Sequence, residues 1–214
     1  MADIAAQSVK ALRDATGAGM MDAKRALVEA DGDHEAAAQA LREKGLAKAA
    51  GRSDRDNTEG AIGLAATIDR ASLVHLRCET DFSAKSDGFV SLVDELASAV
   101  LEEGETALEA RTATLDDLRL STKENCEVGR VALVEAAAGN LVDTYLHRQD
   151  GRGVNGVVVE ASGIDQETLH QIALHIAFAK PTALSRDEVP PNLVETERAA
   201  LLDITKAEGK PEQA

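Results

Sequence analysis

Ten consecutive residues without an apolar side chain, Gly51-Arg52-Ser53-Asp54-Arg55-Asp56-Asn57-Thr58-Glu59-Gly60, divide this chain into two parts. Such a segment has no face to bury, so it reads as a linker over residues 51–60. Charge changes at the same place. Residues 1–52 carry eight acidic and eight basic side chains, whereas residues 53–214 carry thirty acidic and fifteen basic ones. The whole net charge of −15 therefore belongs to the second part.

Upstream of the linker, apolar spacing predicts three short helices. Ala5, Val9 and Leu12 line the first, which stops at Thr16-Gly17, because glycine permits the left-handed turn that ends a helix. Met20, Ala23, Leu27 and Ala30 share one face of the second, closed by Asp31-Gly32. Asp33 is placed to cap the third, which carries Ala37, Ala38 and Leu41 and is expected to stop at Gly45. Connections this short make a three-helix bundle over residues 1–50. A unit of this size is marginal alone and suits a docking role. The turn Thr16-Gly17-Ala18-Gly19 into the second helix follows a helix and lacks the third glycine and the lysine of phosphate-binding loops, so nucleotide binding there is not expected. Adjacent Met20 and Met21 cannot both face one core; one is expected to be exposed, where methionine suits adaptable contacts.

Downstream, strands and helices are segregated. Gly60 to Ile68 and Ser72 to Cys78 read as strands, and Phe89, Val93, Leu96 and Val100 mark a helix over about 86–102. Arg130 to Ala137 and Leu141 to His147 suggest a hairpin around Ala138-Gly139-Asn140. A valine-rich strand over 154–161, a helix over 165–180 and a last helix from Pro190-Pro191 to about Glu208 follow. The fold class is α+β: the three-helix bundle, then a core of two related antiparallel-sheet-plus-helix subdomains, residues 61–128 and 129–214. The helix over 165–180 has two apolar stripes, Leu169-Ile172-Ile176 and Leu174-Phe178, and burial on both sides is the expected outcome.

Composition excludes several functions. No tryptophan, one tyrosine and a net charge of −15 disfavour a nucleic-acid reader, which needs stacking platforms and clustered cations. No secretory leader or membrane span is apparent, and Cys78 and Cys126 form no disulfide framework, so a cytoplasmic protein with buried thiols is expected. His170 and His175 are five residues apart and point in different directions on a helix, so they cannot share a metal. No nucleophile motif occurs. Catalytic residues, cofactor and metal are all expected to be none. The segment Cys78-Glu79-Thr80-Asp81-Phe82-Ser83-Ala84-Lys85 stands out instead, with an aromatic between polar residues on a strand-to-helix connection. Spacing alone favours Phe82 folding under the loop; the alternative is an exposed anchor beside a carboxylate.

Two long stretches carry a resemblance. Val9-Lys10-Ala11-Leu12-Arg13-Asp14-Ala15-Thr16-Gly17-Ala18-Gly19-Met20-Met21-Asp22-Ala23-Lys24-Arg25-Ala26-Leu27 resembles the N-terminal signature of the elongation factor Ts family, and Cys78-Glu79-Thr80-Asp81-Phe82 with Ala84-Lys85 resembles its second signature. His175-Ile176-Ala177 with Lys180-Pro181, and Glu208-Gly209-Lys210-Pro211, are similar to later parts of the family pattern. The resemblance implies a nucleotide exchange factor for elongation factor Tu, without covalent chemistry. It implies docking on the partner's G domain through Arg13, Met20 and Met21, and a wedge of Thr80, Asp81 and Phe82 beside the partner's magnesium site. It also implies contacts from His147 and His175 to another partner domain; it leaves self-association open. Ser83 stands where the family often has an apolar residue, which implies a less firmly packed wedge. Family members usually continue beyond Gly-Lys-Pro, which implies a C-terminal segment lacking here. The bundle is also similar to ubiquitin-associated domains, so the alternative is a helical adaptor for peptides or ubiquitin-like partners.

Overall fold

The computed structural model describes residues 4–208, so Gly209-Lys210-Pro211 lies outside the described residues. Two compact units separate at Ala177/Phe178.

The first unit opens with α1 (Ala6–Thr16), α2 (Met20–Glu29) and α3 (His34–Ala50). Gly17 ends α1 at φ 66°, its N–H donating to the Arg13 carbonyl. Val9, Leu12, Ala23, Ala26, Leu27 and Ala37 close a small core. Met20 and Met21 are both exposed, at 47% and 69%, rather than one of the two. The buried seam of α2 runs through Ala23, Ala26 and Leu27, which places its first turn outside the core.

Asp33 caps α3 as expected, Oδ1 accepting from the N–H groups of Glu35 at 2.9 Å and Ala36 at 3.1 Å. Asp33→Ala is expected to cost about 1 kcal/mol, read by chemical denaturation. The helix does not stop at Gly45 but continues to Ala50. Glycine is there for proximity: a Cβ at Gly45 would lie 2.4 Å from Leu120 Cδ2. The ion pair Arg42–Asp117 crosses the same seam.

The core follows as β1 (Glu59–Ala66), β2 (Arg70–Cys78), α4 (Asp81–Ala84), α5 (Asp87–Glu103), α6 (Ala107–Ala110), α7 (Thr112–Thr122), β3 (Glu127–Glu135), β4 (Leu141–Gln149), β5 (Arg152–Ala161) and α8 (Gln166–Ala179). Phe89, Val93, Leu96 and Val100 of α5 are buried against Val74, Leu76 and Cys78 of β2. Each such side chain contributes about 1.5–3 kcal/mol by leaving water. Buried Ser72 donates Oγ to the Ala97 carbonyl at 2.6 Å, so this hydroxyl is paired inside the core.

The expected β3–β4 hairpin does not form. Sheet order is β1-β2-β3, all antiparallel, and β4 pairs only with β5. A two-stranded β1–β2 ribbon would leave β2 with an open edge, and β3 fills it. The Ala138-Gly139-Asn140 segment therefore carries the chain between sheets. Glu160 holds it, accepting from Ala137 N–H at 2.8 Å and Asn140 Nδ2 at 2.7 Å. Among the described residues the fold is thus α+β, with a helical bundle and two antiparallel sheets.

On α8 the buried seam is Leu169, Ala173 and Ala177, with Ile176 partly buried beside Val157. Burial on both sides is not observed: Ile172 is 41% exposed and Phe178 89%. Small Ala173 and Ala177 share the seam with Leu169 and let the helix approach Val157 of β5.

The second unit, from Phe178, contains α9 (Pro191–Ala207) with proline at its first position. None of its residues is buried.

Candidate functional site

β2 ends inside the core at Cys78, and the chain emerges as a short turn into α4. Thr80 caps α4, its Oγ1 accepting from Ser83 N–H at 3.2 Å. The turn is fastened from a distant part of the sequence. Glu124 Oε2 accepts from the N–H groups of Glu79 and Thr80, each at 3.1 Å. Glu124 Oε1 accepts from the hydroxyls of Thr80 and Ser83, each at 2.7 Å. In return, Glu79 Oε1 accepts from Asn125 N–H at 2.7 Å. Buried Asn125 also donates Nδ2 to the Arg55 carbonyl at 2.8 Å and the Ser53 carbonyl at 3.2 Å, so the polar segment before β1 is pinned to the core.

Phe82 is 84% exposed at the apex of this turn, so it does not fold under the loop. Ser83 beside it is buried and bonded to Glu124 rather than loosely packed. Its hydroxyl needs a partner in that position and finds a charged one, which makes for a strong bond.

Asp81 pairs with Lys85 at 2.8 Å, and Lys85 reaches on to Asp150 at 3.2 Å. Hydrogen bonding and attraction from Lys85 hold the Asp81 carboxyl below its usual range. Asp81 and then Asp150 raise the Lys85 ammonium above its own. Asp150-Gly151 is the tight turn of the β4–β5 hairpin, both residues at positive φ, 52° and 80°. Lys85 thereby ties the exposed turn to that hairpin. Burial raises the Glu124 carboxyl, but hydrogen bonds from Ser83, Thr80 and the backbone outweigh it and leave it net lowered.

The other expected contact residues are dispersed. Arg13 lies on α1, half exposed, 3.9 Å from Asp14. Met20 and Met21 open α2. His147 is exposed on β4, its Nδ1 3.3 Å from the Tyr145 hydroxyl, the two rings stacked at 6.4 Å. His175 is exposed on α8. The structure thus joins Thr80, Asp81 and Phe82 in one turn and leaves the rest as separate patches. Sequence reading missed Glu124, Asn125 and Asp150, which lie more than forty residues from the turn they support.

Cys78 donates Sγ to the Thr80 carbonyl at 3.2 Å. Burial, then the neighbouring Cys126 and Glu124, push its thiol up to about 12. A thiolate is the reactive form. Neither cysteine is therefore expected to react with a thiol reagent at pH 8 until the chain is unfolded; a titration in native buffer and in denaturant reads this directly. Among the described residues no group of three or more His, Cys, Asp or Glu side chains is placed to hold a metal ion. No described helix is long and apolar enough to cross a membrane.

A family profile described as "Elongation factor TS" matches residues 79–214, beginning at the turn itself. Elongation factor Ts of Clavibacter michiganensis subsp. michiganensis is 45% identical, over all of this chain and 81% of the relative. The Cutibacterium acnes protein of the same name is 43% identical over 98% of this chain and 80% of its own length. That of Ruegeria sp. is 44% identical over 98% and 75%. The chain belongs to the elongation factor Ts family. Membership makes it a translation elongation factor, and the Thr80–Phe82 turn is the part of this elongation factor Ts chain that most needs a functional explanation.

Proposed function

We propose that this chain is a cytoplasmic guanine nucleotide exchange factor that promotes GDP release from elongation factor Tu, with no covalent chemistry of its own. The observation that carries the reading is a phenylalanine held 84% exposed on a turn whose backbone is hydrogen-bonded in place. Exposure forfeits about 1.5–3 kcal/mol that burial of such a side chain gives. A rigid, exposed aromatic recovers that energy at an interface.

On this reading Phe82 enters the partner beside its magnesium site, with Thr80 shaping the turn and Asp81 flanking it. Mg²⁺ bridges and neutralises the nucleotide's phosphates, so displacing the elements that hold it weakens GDP binding. Linkage requires GDP to weaken binding of the factor by the same ratio. Arg13, Met20 and Met21 dock the helical bundle on the partner's G domain, and His147 and His175 meet another domain. The division into a docking module at 1–50, a linker at 51–60 and core subdomains at 61–128 and 129–214 is part of the same proposal. The test is release of a fluorescent GDP analogue from purified elongation factor Tu. Concentration-dependent acceleration supports the reading; a folded chain that leaves the rate unchanged at saturating concentration overturns it.

A further inference from the structure

We infer that Glu124 is the positioning residue of the Thr80–Phe82 turn: by fixing the backbone that presents Phe82, it sets the maximal rate at which the partner loses its nucleotide. This rests on the exchange reading above.

A carboxylate offers about four acceptor sites. At Glu124 four donors occupy them, and all four come from residues 79–83, on both sides of Phe82. Two are backbone N–H groups, so the bonds constrain the main chain of the turn rather than side-chain rotamers alone. Glu124 acts through the turn, since its bonds go to the flanking residues.

Glu124 is itself well anchored. α7 ends at Lys123 in the left-handed conformation, φ 60°, which redirects the chain toward the turn. Asn125 N–H donates to Glu79, while Glu79 N–H donates to Glu124. This crossed pair locks the two segments in register. Buried Asn125 then fixes the far side to the carbonyls of Ser53 and Arg55. The backbone N–H groups of Glu79 and Thr80 can only donate, and the hydroxyls of Thr80 and Ser83 turn to donate too, so an ionised carboxylate takes four charge-assisted bonds at once. A glutamine keeps an acceptor for the two backbone N–H groups only by turning its amide toward the hydroxyls, which must then accept, and all four bonds lose their charge assistance. An aspartate is one methylene too short to reach all four.

The test uses the full chain and elongation factor Tu loaded with a fluorescent GDP analogue. Release is followed by stopped flow over a range of chain concentrations, for wild type, Glu124→Gln, Glu124→Asp and Ser83→Ala. Amide hydrogen exchange at residues 79–83 and thermal melting accompany it. Losing charge-assisted hydrogen bonds to the turn is expected to lower the maximal rate of Glu124→Gln on the order of tenfold. The concentration giving half-maximal rate should change little, because the other contact patches are untouched. Amide protection at Glu79 and Thr80 should fall in Glu124→Gln, as the two N–H groups lose a charged acceptor, and should fall in Glu124→Asp and Ser83→Ala as well. A folded Glu124→Gln with the wild-type maximal rate overturns the inference. So does a parallel loss of rate, half-saturation and melting temperature, which marks a general structural role. Should Glu124→Gln fail to fold, Ser83→Ala decides: full rate and full protection refute the positioning role. A wild-type chain that does not accelerate release fells the exchange reading, and the rate claim with it; an active wild type with an unaffected variant fells this inference alone.

Discussion

Phe82→Ala is expected to slow stimulated GDP release by about thirtyfold, the factor corresponding to loss of a ~2 kcal/mol interface anchor. The same substitution should leave the melting temperature within error. Phe82 is 84% exposed and lies outside every buried cluster, and surface changes of that kind move stability by about 0.5 kcal/mol or less. The pairing of a large functional loss with an unchanged fold is the signature to look for. Fold integrity is checked by circular dichroism and the rate by stopped-flow fluorescence. A variant as fast as the wild type would keep the chain as an exchange factor but remove Phe82 from the mechanism. In that event the exposed methionines of α2 become the next residues to truncate, since they are the other exposed large apolar side chains among the proposed contacts.

The second large effect is expected at Gly63, in the middle of β1. A Cβ there would sit 2.2 Å from the Val93 carbonyl oxygen and 3.2 Å from Ala97 Cβ. The obstacle is helix backbone, which cannot swing aside as a side chain does. Gly63→Ala must therefore push α5 away from the sheet and open the core around Val93 and Leu96. The expected cost is about 3 kcal/mol, the upper part of the overpacking range, read as a lower denaturation midpoint at unchanged slope. Gly88→Ala is the matched control. It lies in the first turn of α5 with nothing within 4 Å of the added atom, and should stabilise by about 0.4–1 kcal/mol. Equal effects at the two positions would show that close approach, rather than glycine content, has been misjudged.

These two glycines show where sequence reading succeeds and where it stops. Phe89, Val93, Leu96 and Val100 repeat at helical spacing, and that pattern alone located α5 and its buried face. Periodicity reports which face turns inward. It does not report how close the neighbouring element comes, and so Gly45 looked like a stop signal when it is a contact point for Leu120. The β3–β4 misreading has a related cause. A glycine-containing connection between two strand-like runs signals a hairpin, but pairing is decided by which sheet edge remains open, a property of the assembled fold. On α8 the large residues mark only part of the seam: Leu169 is buried as expected, but Ala173 and Ala177 complete it while Ile172 stays exposed.

The turn was legible only in part. The placement of Phe82 between polar residues marked it as unusual, and the family resemblance named the segment. Its support was invisible, because Glu124 and Asn125 follow a helix with no distinguishing pattern and reach the turn through tertiary structure. Exposure of both Met20 and Met21 was half seen: two adjacent residues cannot share one face, yet the seam of α2 happens to exclude both.

Tyr145, stacked on His147 on β4, is the one tyrosine of a chain that has no tryptophan. The molecule is therefore almost dark when excited beyond the phenol band, and it carries a single native fluorophore inside one of the patches assigned to partner contact. Any tryptophan brought by a partner will emit against an empty background. Excitation restricted to indole isolates the partner's emission, while tyrosine emission from the free chain follows β4 alone. Association can thus be watched from either side, at one optical site on this protein, without attaching a label.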